Sequence, residues 1–147
     1  MVFYQLLTGS LLIGLTVLIT TAFIGLTSAW LLRKRTKPGG RSRQAIRFTV
    51  DLFFVTLLLL AALTIAVWIW AAAFLWLGVF EEFELSLYFS VVSFTTLGFG
   101  DVVLDQQWRL LSGLAAANGL ILFSLSTAVL IEFIIRAQAD NLRHYYD

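Results

Sequence analysis

The chain has 147 residues, of which 60% are hydrophobic and only 13% charged; soluble domains carry roughly 25% charged residues, so this composition excludes a water-soluble globule and points to one small membrane domain. There are no cysteines, which excludes disulfides and thiolate metal sites. The net charge of +1 is unevenly spread: seven of the ten basic residues lie between Arg33 and Arg47, and three of the nine acids are Glu81, Glu82 and Glu84.

Residues 1–32 are uncharged and form the first predicted transmembrane helix. A secretory signal peptide is the competing reading, but no positive charge precedes the apolar run and the run is too long. Ser10, Gly14, Thr21, Gly25 and Ser28 fall near one helical face, where small residues let helices approach closely in lipid. Residues 33–47 form a basic loop in which Pro38, Gly39 and Gly40 break any helix. Such a cluster can bind nucleic acid or anionic lipid; the simpler reading is a short loop retained on the cytoplasmic side, with no nucleic-acid partner.

The second predicted span, 48–80, carries Asp51 as its only charge, four residues after Arg47 and so placed to pair with it on a helix surface. Trp68, Trp70 and Trp76 mark its outward end, where indoles sit at the membrane–water boundary. Residues 83–101 read as a short amphipathic helix, Leu85 to Thr95, followed by a glycine-containing loop. The third span, 108–136, ends at Glu132 and Arg136, and 137–147 is a short polar tail with a solvated His144. Placing the basic loop inside puts the N-terminus outside, the C-terminus in the cytoplasm and nine of the ten basic residues on the cytoplasmic side, Arg109 excepted.

The segment Tyr88-Phe89-Ser90-Val91-Val92-Ser93-Phe94-Thr95-Thr96-Leu97-Gly98-Phe99-Gly100-Asp101 resembles the pore loop of potassium channels, whose filter reads Thr-Val-Gly-Tyr-Gly, usually followed by Asp. The form with Leu and Phe is similar to that of two-pore-domain and small bacterial channels. The resemblance runs over residues 48–136, with Trp108-Arg109-Leu110 and Gly119 to Ala128 similar to the inner helix of the two-transmembrane pore module; the first span lies outside it. It implies an all-α membrane protein: three transmembrane helices, a re-entrant pore helix and a selectivity-filter loop, assembled as a homotetramer. It further implies potassium ions held by the backbone carbonyls of Thr96, Leu97, Gly98 and Phe99, with Gly100 completing the filter and Asp101 at its outer mouth.

Elementary physics agrees with that implication. Rings of carbonyls replace the hydration shell of a potassium ion, and the alternating dihedrals that turn successive carbonyls inward suit glycine, hence Gly98 and Gly100. The pore helix aims the negative end of its dipole at the membrane centre. Non-helical backbone at that depth is tolerated only when packed in protein or lining a cavity; the known filter uses four such loops, so with one loop per chain the resemblance implies four chains in closed symmetry. Phe99 replaces the usual Tyr, and Tyr88 and Phe89 stand where many channels carry two Trp, leaving an apolar cuff of Phe89 and Phe99. Val92 stands where some bacterial pores have Glu.

Asn118 and Gly119 lie mid-membrane in the third span. Asn118 is a costly polar group there and is expected to face the pore or a neighbouring helix. Gly119 matches the family's hinge glycine, with close helix packing as the alternative. The resemblance places Leu120, Phe123, Thr127 and Ile131 on the water-filled cavity. Glu132 pairs with Arg136 at i, i+4, or forms a charged ring at the inner mouth. Asp101 and Asp105, with Glu81, Glu82 and Glu84, would make an acidic vestibule that concentrates cations.

The expectation is therefore passive potassium conduction in a cell membrane, with no enzyme chemistry, no cofactor beyond potassium in the filter and no soluble ligand domain. The first span lacks an arginine ladder and so is not a voltage sensor. Two alternatives stay open: a weakly selective or sodium-permeable channel of the same fold, and a non-conducting membrane accessory or assembly protein.

Overall fold

The computed structural model describes residues 2–34 and 41–146, with side-chain surroundings for 2–29 and 46–135. Four helices follow in order: α1 (Val2–Lys34), α2 (Arg41–Trp76), α3 (Phe83–Phe94) and α4 (Arg109–Tyr146). Three contain stretches long and apolar enough to cross a membrane, Val2–Ala29, Ile46–Trp76 and Arg109–Ile135. With 12 residues, α3 is about 18 Å long and cannot cross a ~30 Å hydrocarbon core.

Helix boundaries differ from expectation by more than two residues in three places. Arg41–Arg47, assigned above to the basic loop, already belongs to α2; Pro38, Gly39 and Gly40 lie outside the described residues. α2 stops at Trp76 rather than near 80 because Gly78 takes a left-handed φ of 69°, and the amides of Gly78 and Val79 bond back to the carbonyls of Leu75 and Phe74 at 3.0 Å each, a glycine-terminated helix end. α4 continues through the expected tail to Tyr146, since no Gly or Pro after Gly119 stops it. The side chains of Arg136 and His144 lie outside the described residues.

The buried stripe of α2 is Leu63, Ala66, Trp70 and Phe74; that of α4 is Leu111, Ala115 and Leu122. Both follow the i, i+3, i+4 spacing of one helical face. They pack with Phe89 and Phe94 of α3 into a single core. α1 touches α2 and α4; among the described residues it does not touch α3. The α2–α4 pair therefore separates α1 from the short helix. Tyr4, near the start of α1, meets Trp108 at the start of α4 with ring centroids 6.4 Å apart, so α1 and α4 run parallel.

The packed face of α1 is not the small-residue face picked out above. Ser10, Gly14, Thr21, Gly25 and Ser28 are exposed, while Gln5, Gly9, Thr16, Thr20 and Thr27 are buried. The choice is made by the partner: Leu114 of α4 fills the space that a side chain at Gly9 would need, and Thr16 meets Asn118. Thr16, Thr21 and Thr27 donate their hydroxyls to carbonyls one turn back in α1, which satisfies them inside a lipid-embedded helix.

Gly119 is a packing glycine in this structure. A Cβ there would overlap the carbonyl oxygen of Phe94 at the end of α3, so the missing side chain is what lets α3 dock on α4. Gly119 lies about ten residues, ~15 Å, along α4, halfway through a ~30 Å core. Replacing Gly119 by Ala is expected to destabilise the fold by about 1–3 kcal/mol through overpacking, read as a lower thermal midpoint in detergent, whereas Gly113→Ala, with open space around it, should be nearly silent.

Candidate functional site

The site grows from α3 and the loop that leaves it. Glu84 lies in the first turn of α3, with Glu81 and Glu82 just before it, charges that suit the positive end of the helix dipole. Ser86 donates its hydroxyl to the Ala71 carbonyl at 2.6 Å, fastening α3 to α2 at a buried point. One turn on, Phe89 sits edge-on to Phe74, with centroids 5.3 Å apart and planes at 83°, and 5.3 Å from Phe80.

At its other end α3 closes as α2 does, with one difference. The Thr96 amide bonds to Ser93 O at 2.9 Å and the Leu97 amide to Val92 O at 3.0 Å, the same pair of bonds that Gly78 and Val79 make. Here the left-handed position is filled not by glycine but by Thr96, at φ 61°. A β-branched residue in that region is a genuine outlier, costing about 1–2 kcal/mol, and persists only where the surroundings over-determine it.

Beyond Thr96 the backbone alternates. Gly98 and Gly100 have φ of 53° and 78°, while Leu97 and Phe99 between them keep ordinary negative values. Such alternation gathers successive amides on one side of the chain and their carbonyls on the other. The amides of Thr95, Thr96, Leu97 and Gly98 all bond back to carbonyls of Val91, Val92 or Ser93, at 2.9 to 3.3 Å. Among the described residues no backbone hydrogen bond ends on a carbonyl of residues 95–100. The loop thus directs its first four amides into the protein and leaves a row of acceptors without a backbone partner among the described residues, at the depth set by Gly119.

The loop is tied at its outer end too. Tyr88 donates its hydroxyl to Asp101 Oδ2 at 2.5 Å, so residues 96–100 climb back alongside about 10 Å of α3. This bond holds the Asp101 carboxyl below the usual carboxylate range, outweighing the opposing desolvation. The same bond, with smaller contributions from desolvation and the Asp101 charge, raises the Tyr88 phenol. The tie was not anticipated from the sequence, where the Tyr88 and Phe89 positions were read for an apolar cuff with Phe99. Instead Phe89 turns to Phe74 and Phe80, and Phe99 stays 66% exposed. A tyrosine one helix length back from an aspartate was the available signal.

The remaining residues singled out above fall into two groups. Leu120, Phe123, Thr127, Ile131 and Glu132 are all exposed on α4 in the single chain. Asn118 and Gly119, grouped with them as cavity or gate residues, are both buried and face protein instead: Asn118 donates to Thr16 of α1 at 2.7 Å, and Gly119 abuts Phe94. The physical reason is geometric, since an amide in a lipid-embedded helix turns to whichever neighbour offers an acceptor. Asp105 is exposed, and its carbonyl accepts the Trp108 amide at the entry to α4.

A family model described as "Ion channel" matches residues 52–136. No curated protein and no solved structure matches the chain. The matched segment contains most of α2, all of α3 and the loop, and the membrane part of α4; it excludes α1.

Two outcomes follow from the helix ends and the outer tie. Gly78→Ala should lower stability by about 1 kcal/mol while Thr96→Gly raises it by up to about as much, both read as thermal midpoints of purified protein; equal effects at the two positions would refute the strain assigned to Thr96. For the tie, the Asp101 pKa is lowered in the fold, so its stabilisation is complete above the ordinary carboxylate value of about 3.9 and is lost as pH falls through the lowered value. The Tyr88 pKa is raised, so the bond is also lost as pH rises through that value, above about 10. Tyr88→Phe should move the Asp101 midpoint up toward the ordinary value, followed by the carboxyl carbon shift in carbon-13-labelled protein.

Proposed function

The chain belongs to the ion channel family, and from that premise we propose that it is one subunit of a homotetrameric, potassium-selective channel that passes potassium down its gradient. The observation that carries this reading is the division of labour in the loop: the amides of residues 95–98 are engaged by the end of α3, while the carbonyls of residues 95–100 take no backbone hydrogen bond among the described residues. A potassium ion entering a narrow pore exchanges its hydration shell for backbone oxygens. One loop supplies oxygens from one side only, and closed cyclic symmetry supplies the others. On this reading Thr96, Leu97, Gly98 and Phe99 present the coordinating carbonyls, Thr96 adds its hydroxyl at the inner end, and the Asp101 carboxylate sits at the outer mouth.

The surface of the single chain supports an assembly. Leu97 is 58% exposed and Phe99 66%, large apolar side chains on a loop whose other face is held by α3. Between α2, α3 and α4 a cavity of about 300 Å³ is lined by Leu63, Val67, Val91, Thr95 and Phe123 among others. A neighbouring copy would cover both, and four copies would turn Leu120, Thr127 and Ile131 toward a common axis below the filter. Glu81, Glu82 and Glu84, exposed at the start of α3, would add negative potential around the outer entrance. The basic residues from Arg33 to Arg47, at the end of α1, the start of α2 and the segment joining them, support an orientation with the N-terminus outside and the C-terminus in the cytoplasm of a cell membrane.

The test is ion flux through purified protein in liposomes. Potassium efflux that barium blocks and that Gly98→Ala abolishes is expected, with reversal potentials that follow the potassium gradient in mixed potassium and sodium. Equal sodium and potassium permeability would replace this reading with a weakly selective channel; an absence of flux from reconstituted tetramers would leave a non-conducting accessory protein.

A further inference from the structure

α1 lies outside the family match, yet its central polar side chain is joined to the pore module. Thr16 and Asn118 are both 0% exposed, and Asn118 Nδ2 donates to Thr16 Oγ1 at 2.7 Å. The Thr16 hydroxyl proton is engaged by its own helix, with the carbonyls of Leu12 and Ile13 each 3.0 Å away, which leaves the oxygen's lone pairs for Asn118. No water competes at this depth. The other half of the amide, Asn118 Oδ1, is buried without a hydrogen-bond partner, so this single bond is what holds the amide.

The next residue of α4 makes the connection matter. Asn118 and Gly119 are about 100° apart around the helix and face different partners: Asn118 meets α1, and Gly119 meets the carbonyl of Phe94 at the end of α3. At one level of the membrane α4 is therefore gripped between α1 and the turn that carries Thr96. That turn is strained, with a β-branched residue at φ 61°, and strain of this kind survives only under firm packing.

We propose that Thr16 and Asn118 are positioning residues for the filter: through their hydrogen bond α1 keeps α4 seated on the end of α3, and this seating holds Thr96 and the loop after it in the conducting form. The proposal rests on the reading of residues 96–100 as a potassium filter. It gives α1 a role in the pore beyond anchoring. Losing the bond should shorten the time spent conducting without altering the pathway itself, because neither residue is part of the filter.

The experiment uses the full chain in planar bilayers with symmetric potassium. Thr16→Val leaves the Asn118 amide with no partner and should lower open probability by roughly five- to 150-fold, the range set by stranding one buried polar group, with unitary current and reversal potential unchanged. Thr16→Ser keeps the hydroxyl and should behave as wild type. In the double variant Thr16→Val with Asn118→Leu no polar group is stranded, so open probability should recover above that of Thr16→Val alone. An unchanged open probability in Thr16→Val, or single effects that simply multiply in the double variant, would overturn the proposal. A lower yield of tetramers whose gating is normal would overturn it as well, as the mark of a structural role only. A second readout is independent of conduction: amide hydrogen exchange at Thr96, Leu97 and Gly98 should quicken in Thr16→Val and not in Thr16→Ser. If wild type passes no potassium, the filter reading fails on that result, and the positioning role then stands or falls on the exchange rates alone.

Discussion

A backbone that leaves a helix in the middle of a membrane has to place every amide and carbonyl without help from water. The end of α3 meets this constraint for the amides alone. Carbonyls of Val91, Val92 and Ser93 take up the four amides of Thr95 to Gly98, and that arrangement is possible only if Thr96 goes left-handed. Once the amides point back into α3, the carbonyls of the loop point the other way. The feature that terminates the helix is thus also the feature that lays out a row of oxygens, which take no backbone hydrogen bond among the described residues and which the proposed function assigns to an ion.

The comparison between the two helix ends shows why the residue types matter. α2 and α3 close with the same two hydrogen bonds, yet α2 uses Gly78 and α3 uses Thr96. Glycine would remove the strain at Thr96 but would also remove a hydroxyl from the inner end of the loop. A strained residue can be kept only if its neighbourhood is rigid, and three contacts supply that rigidity. Ser86 fastens the start of α3 to α2, Tyr88 ties the far end of the loop through Asp101, and Gly119 lets α4 close on Phe94.

Much of this was legible in the sequence, and for identifiable reasons. The three spans are long uninterrupted apolar runs, so their existence depends on nothing but composition. Gly98 and Gly100 announced themselves because a backbone conformation demands that residue type. The features that were not legible depend on pairing across long separations. Thr16 and Asn118 are 102 positions apart, and nothing local in either helix selects the other. For the same reason the wrong small-residue face of α1 was picked: Ser10 and Gly14 are as small as Gly9 and Thr16, and only Leu114 and Asn118 decide between the two faces. The helix end at Trp76 was missed because Gly78 was read within a span rather than as its terminator, and the run of α4 to Tyr146 because polar composition was taken for a tail.

Position in the membrane gives the last link between α1 and the loop. Asn118 is a poor choice for a helix facing lipid, and a helix facing a water-filled cavity would need no second helix to receive its amide. Its burial against Thr16 is therefore accounted for by neither lipid nor cavity, and the proposed positioning role supplies the reason: the bond would keep α1 and α4 in a fixed register. The register matters where it is set, next to Gly119, because a shift of α4 at that level changes the room available to the Phe94 carbonyl. On the proposed role, sliding between α1 and α4 would be felt first at the least relaxed residue nearby, Thr96. In this fold the helix outside the matched pore module and the loop inside it are two ends of one packing arrangement, with α4 as the part they share.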